Sequence, residues 1–227
     1  MQPYFFPYIG YFQLVSAVDL FIVYDNIKYT KKGWINRNRL LMNGGDVVFS
    51  LPLKGDSDSL DVRDRELSGD FDRSKLLNQI RAAYRRAPFF TETIELVEVI
   101  VRFDERNLYR FVQNSIFKVC QHIGIATMLV TSSEIDIDHG LRSQEKVLAL
   151  CDAVGAATYI NAIGGTALYS REDFRVRGFD LQFIQPKRLE YPQYGNEFVP
   201  WLSIIDVMMF CPPGTIREYL HTGFDLQ

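Results

Sequence analysis

Apolar positions along the chain recur with two periods, and they divide it into strands and helices. Residues 20–24 (L-F-I-V-Y) form a short apolar run, rich in β-branched residues, that stops at Asp25; this predicts a buried strand. Before it, Ile9, Phe12, Leu14 and Val15 predict a helix from about 9 to 18. Pro3 and Pro7 keep the chain ahead of that helix extended or turned. Turn, helix and strand at this spacing open a parallel α/β unit. The strand that should come first is almost missing, because Met1 stands where its last residues would be. Residues 40–42 and 47–53 flank N-G-G-D, a hairpin signal. Residues 54–73 read as a polar surface loop.

Helical periodicity then takes over. Leu76, Leu77, Ile80 and Tyr84 share one face of a helix that ends at Ala87-Pro88, and 94–101 is a second helical run. Leu108, Phe111, Val112, Ile116 and Val119 mark a third, stopped by Gly124. Strands are expected at 126–130, 157–160 and 181–184, and helices at 142–154 and 203–210. The fold expected is α/β, a mainly parallel open Rossmann-like sheet with a helical insertion at about 74–122, in a single domain over 1–227.

Composition narrows the class. With 227 residues, 47% of them hydrophobic, the chain can bury a substantial core. No apolar run approaches the ~20 residues of a bilayer span, and no charged leader precedes an apolar stretch, so a cytoplasmic protein is expected. Three widely spaced cysteines (Cys120, Cys151, Cys211) suit reduced core residues better than a disulfide frame or a metal site. The net charge of −3 excludes a whole-molecule attraction to nucleic acid, but charge is uneven. Residues 1–42 hold five cations against Asp19 and Asp25, a local +3, which suits a small anionic ligand.

The chemistry concentrates where strands end. Residues 28–39 (K-Y-T-K-K-G-W-I-N-R-N-R) combine the planar fork of Arg37, the point charges of Lys31 and Lys32, a stacking face at Trp34 and the amides Asn36 and Asn38. The alternative is a solvated basic loop with Trp34 tucked into the core. Asp25, closing a strand, suits a general base or equally an Asx cap or an ion pair with Arg37 or Arg39. Gly164 and Gly165 could present backbone N–H groups to an anion or simply make a tight turn. Asp206 is an acid in an apolar helix with Ser203 ahead of it: either a base and its neighbour, or a buried structural acid and an N-cap. Cys120 and His122 are adjacent, but i and i+2 point apart on a helix. No zinc spacing, nucleophile elbow, Walker A or G-x-G-x-x-G occurs, so no metal is expected and no cofactor is specified.

The run M-Q-P-Y-F-F-P-Y-I-G-Y-F-Q-L, followed by V-D-L-F-I-V-Y-D-N-I-K-Y-T-K-K-G-W-I-N-R-N, resembles the N-terminal signature of the WbqC-like family of bacterial polysaccharide and O-antigen gene clusters. The resemblance returns at Y-I-N-A-I-G-G-T-A-L-Y (159–169) and Y-P-Q-Y-G-N-E-F-V-P-W-L-S-I-I-D (191–206). Members usually carry a few apolar residues before M-Q-P, which implies a shortened first strand or a late start here. The resemblance implies a transferase that adds an aminoacyl group, glycyl for some members, or an acyl group to a sugar. The residues of these islands that stand as candidates are Gln2, Tyr8, Asp25, Asn36, Arg37, Asn38, Tyr169, Ser203 and Asp206. A weaker likeness is positional: Y-I-G-Y at 8–11 sits where nucleotidylyl transferases place H-I-G-H, with tyrosines in place of the phosphate-binding histidines.

Two ligand readings follow: an acyl or aminoacyl transferase acting on a nucleotide-linked or phosphate-bearing amino sugar, and a non-catalytic binder of the same ligand. A third is self-association, or docking of a protein partner, through the aromatic N-terminus.

Overall fold

The computed structural model describes residues 1–227 except Asp58, in the expected polar loop, and Asn196, in the 191–206 island. Helix α1 (Ile9–Ser16) and strand β1 (Leu20–Val23) open the chain. A hairpin follows, β2 (Arg37–Met42) with β3 (Gly45–Ser50). Asn43 (φ 53°) and Gly44 (φ 77°) turn it, both in the left-handed region that a tight two-residue hairpin turn demands. β2 begins three residues before the expected strand, inside the polar run. Asn36 and Asn38 bury their amides against backbone, so the strand continues through residues that look like loop.

Helices α2 (Arg73–Tyr84), α3 (Phe90–Val101) and α4 (Leu108–Ile123) are the expected insertion. Asp72 caps α2 by accepting from Lys75 N–H at 2.9 Å, and Asn107 caps α4 from Arg110 N–H at 3.0 Å. Gly124, at φ 82°, closes α4 in the conformation glycine adopts without a Cβ clash. The insertion is no separate layer: Leu77, Ile80, Val97, Phe111 and Ile116 join Phe5, Phe6, Phe12 and Val23 in one apolar core.

Strand β4 (Met128–Thr131) pairs with β1 in parallel, from Leu20–Met128 to Val23–Thr131. After α5 (Ser143–Val154) comes β5 (Thr158–Ala162), then α6 (Arg171–Val176) and β6 (Asp180–Pro186), parallel to β5. A second apolar cluster, including Leu148, Phe174 and Phe183, fills this part. Helices α7 (Ile204–Phe210) and α8 (Pro213–Thr222) and the short β7 (Phe224–Leu226), antiparallel to β6, complete the chain.

The α/β class and the parallel pairings follow from the strand–helix alternation. The sheet itself is in pieces: β1–β4, the β2–β3 hairpin, and β5–β6–β7. α6, α8 and β7 carry no strong sequence pattern; α6 is six residues with four charges, and β7 is three residues held by an edge. Gln13, buried in α1, donates at 2.9 Å to the carbonyls of Tyr219 and Gly223, locking α1 to the end of α8. No helix among the described residues is long and apolar enough to cross a membrane.

Candidate functional site

Three stretches remote in sequence meet over the N-terminus of α1. Phe6 holds φ 43°, a strained conformation for a bulky residue, and its carbonyl is gripped twice. Asn38 Nδ2 donates to it at 2.8 Å and Ser203 Oγ at 2.9 Å. Ser203 N–H donates to Arg39 O, and Ile204 N–H to Pro7 O. Asn38 and Ser203 therefore hold the turn that presents Tyr8, and both are buried. Ser203 also caps α7 through Ile205 N–H. Asn36 is held apart from that turn, accepting from Tyr29 Oη and donating to Leu51 O.

Above that turn lies a cleft made of two adjoining hollows that share Tyr8 and Trp201. One, about 170 Å³, is lined by Tyr4, Pro7, Trp34, Asn38 and Arg39 besides the shared pair. The other, about 40 Å³, adds Ile9, Lys187, Arg188, Tyr191 and Phe198. Trp34 and Trp201 are 39% and 54% exposed, so two indoles face solvent instead of core. The guanidinium groups of Arg37 and Arg39 lie 5.5 and 5.6 Å from the Trp34 ring. Arg37 is turned back onto its loop, bonding Gly33 O and Lys32 O. Arg39 reaches forward: it pairs with Asp46 at 3.2 Å and donates to Trp201 O at 2.9 Å, while its buried Nε finds no acceptor among the described residues.

Trp201 itself has φ 60°, so the chain tolerates backbone strain to hold an indole at the rim. α1 starts directly beneath, with no side-chain cap and no acid in its first turn. Its unpaired N–H groups and dipole favour a negative group there. Gly10 leaves room for Tyr8, since a Cβ at that position would stand 2.3 Å from the Tyr8 ring. Gly10→Ala is thus expected to swing Tyr8 out of the cleft, leaving the fold intact and weakening ligand binding severalfold; calorimetry and a melting curve on the same sample check both halves.

Asp206 is fully buried. Its carboxylate accepts from Tyr84 Oη at 2.9 Å, Tyr191 Oη at 2.7 Å and Gln193 Nε2 at 2.7 Å. Burial pushes its pKa up against the pull of those three donors. Gln193 also brackets Val199, bonding its carbonyl and its N–H, so the Asp206 network anchors the loop that carries Phe198 and Trp201.

Asp25 is also buried, at the carboxyl ends of β1 and β4. It accepts from Ser132 Oγ and Ser133 N–H at 3.0 Å and from Ser133 Oγ at 2.6 Å, and among the described residues no arginine pairs with it. Beside it, Lys146 donates to Asn26 Oδ1 at 2.9 Å, and burial lowers its pKa. The remaining candidates lie outside the cleft lining. Lys31 and Lys32 are exposed on the loop before Trp34. Gln2 sits behind Tyr4, accepting from its hydroxyl. Gly164 and Gly165 form a short 3-10 turn after β5, and Tyr169 packs on Tyr159 and Phe174. Cys120 is core, its thiol pushed up to about 12 by burial.

Tyr8, Trp34 and Asn38 are thus brought together, while Asp25 and Tyr169 stand elsewhere. Tyr4, Arg39, Trp201, Lys187 and Arg188 complete the cleft without having been singled out as site residues. The signal for two of them was present, since Arg39 closes the basic run and Trp201 lies in the 191–206 island.

The model of the WbqC-like protein family matches residues 2–218. The chain is 26% identical over 216 residues to the uncharacterized protein Rv1507c of Mycobacterium tuberculosis, covering 92% of this chain and 90% of that one. No solved structure matches. With the match running from the aromatic turn through both rims of the cleft, the chain belongs to the WbqC-like protein family.

Proposed function

We propose that this protein binds a phosphate-bearing sugar, a nucleotide-linked amino sugar in particular, for bacterial surface-polysaccharide (O-antigen) biosynthesis. One observation carries the reading: two solvent-facing indoles and the Arg39 guanidinium border one cleft over an uncapped helix N-terminus. Indole faces suit the apolar face of a sugar or a base, while Arg39, Lys187, Arg188 and the α1 amides suit its phosphates. Binding is favoured over catalysis because Asp25, Ser203 and Asp206 are all buried in internal hydrogen bonds.

The second reading is transfer of an aminoacyl or acyl group to the sugar amine. It has its own support in the Asp25–Ser133–Lys146 group at the carboxyl ends of β1 and β4, where open α/β sheets carry out chemistry. The amine would form an amide with the donor's acyl carbon as the donor's leaving group departs, and its proton would pass to a base. Lysine with a lowered pKa suits that proton transfer.

The test is a thermal-shift screen of nucleoside diphosphates, nucleotide-linked amino sugars, free amino sugars, ATP and CoA, run beside Arg39→Ala. A ligand at 100 times its Kd should stabilise the fold by about 2.7 kcal/mol. The binding reading expects a shift with the nucleotide-linked sugar that Arg39→Ala loses. No shift with any phosphate-bearing ligand would sink it. Turnover with glycine and ATP would then favour transfer over simple binding.

A further inference from the structure

The cleft carries cations and no acid in its wall. Among the described residues, Arg39, Lys187 and Arg188 line its two hollows, and no Asp, Glu or His does. Each cation has a carboxylate partner: Asp46 for Arg39, Asp225 for Lys187 and Glu190 for Arg188. None of those three carboxylates belongs to the lining. Beneath lies the uncapped start of α1, whose dipole adds further positive character. A positive group entering the cleft would meet these charges with no carboxylate to offset the loss of its water.

Four aromatic side chains, Tyr4, Tyr8, Trp34 and Trp201, surround the larger hollow, and ring faces so arranged attract ammonium groups. Here the Trp34 ring is already met by two guanidinium groups, those of Arg37 and Arg39. The acceptors of the wall are engaged too. Asn38 Oδ1 accepts from Arg39 N–H, and Trp201 O accepts from Arg39 Nη2. What the wall lacks is an acceptor, because the buried Arg39 Nε–H finds none among the described residues.

We propose that the cleft takes the nitrogen of an amino sugar as an N-acyl amide and rejects it as an ammonium. The inference rests on the phosphate-bearing-sugar reading and narrows its substrate class to N-acylated amino sugars. An amide is uncharged, its carbonyl is an acceptor of the kind Arg39 Nε–H lacks, and its acyl methyl suits an exposed indole. An ammonium brings three donors and no acceptor into a wall that already holds three cations. The discrimination is therefore one of charge and hydrogen-bonding sense, and it operates at the nitrogen alone.

Calorimetry on the native chain with UDP-N-acetylglucosamine and UDP-glucosamine tests this, since the two differ only at nitrogen. Each is titrated at about pH 6 and about pH 9, on either side of the ~8 at which an α-amino group loses its proton. Burial holds the hydroxyls of Tyr4, Tyr8 and Tyr191 above their usual range, so all three stay neutral at both values. At the lower pH the N-acetyl form should bind at least about tenfold more tightly, as one unscreened like-charge repulsion predicts. At the higher pH the free amine is neutral, and the gap should narrow at least threefold. A free amine that binds as tightly as the N-acetyl form at about pH 6, or a gap that persists unchanged at about pH 9, overturns the inference and leaves the sugar reading standing. Absence of binding by both probes at both values removes the reading and the inference together.

Discussion

Replacing Asp206 by asparagine is expected to lower stability by about 3 kcal/mol, or roughly 6–12 °C in Tm. The carboxylate accepts three hydrogen bonds in a fully buried site, two of them on Oδ2. An asparagine can keep the Tyr84 bond through its oxygen, but its NH₂ then faces the Gln193 NH₂, a donor, and the Tyr191 hydroxyl, which must turn to accept. Urea unfolding measures the loss, and a change below about 1 kcal/mol would show that the 191–199 loop is held by other contacts.

The pH dependence supplies a second reading of the same group. Burial raises the Asp206 pKa above its unfolded value of 3.8, so between the two values the folded state binds more protons than the unfolded one. Stability from this group therefore falls as pH rises through that window and stays lowered above it. The variant does not titrate there. The stability gap between the native chain and Asp206→Asn should accordingly widen as pH falls towards 4.

Trp201→Gly is expected to separate folding from binding. Trp201 sits at φ 60° with its indole half exposed, so its side chain contributes little burial while its backbone is strained. Glycine adopts that conformation freely, which recovers about 1 kcal/mol and offsets the lost edge contact with Tyr8. The carbonyl that accepts from Arg39 remains. Stability should stay within about 1 kcal/mol of the native chain, while affinity for the sugar ligand falls at least tenfold, as loss of one aromatic stacking face predicts. Calorimetry on both proteins checks this. An unchanged affinity would remove the cleft as the binding site.

Much of the local architecture was legible from short-range chemistry. Asn43-Gly44 marks its own turn, and Gly124 and Gly155 mark helix ends, because each acts on backbone groups within a few residues; the caps Asp72 and Asn107 were not singled out. The role of Asn38 was not legible in this way. Its amide reads as a ligand contact in a polar run, yet it bonds the carbonyls of Phe5 and Phe6, more than thirty residues away. Ser203 reads as a catalytic neighbour of Asp206 or as an N-cap; it caps α7, and it also holds the same Phe6 carbonyl from the other end of the chain.

By itself, then, the sequence determined the α/β class, the helical run at about 74–122, the hairpin turn and the glycine stop, and the family, all of which rest on periodicity, on local backbone preferences or on dense motifs. Only the tertiary structure decided which polar residues became structural and which faced solvent. It buried Asp25, Ser203 and Asp206, and it set Trp34, Arg39 and Trp201 around one cleft. It also divided the parallel strands between two separate sheets. The physical reason is common to all three: whether a polar group or a strand edge is satisfied depends on partners brought from distant parts of the chain, and no local pattern encodes that partner.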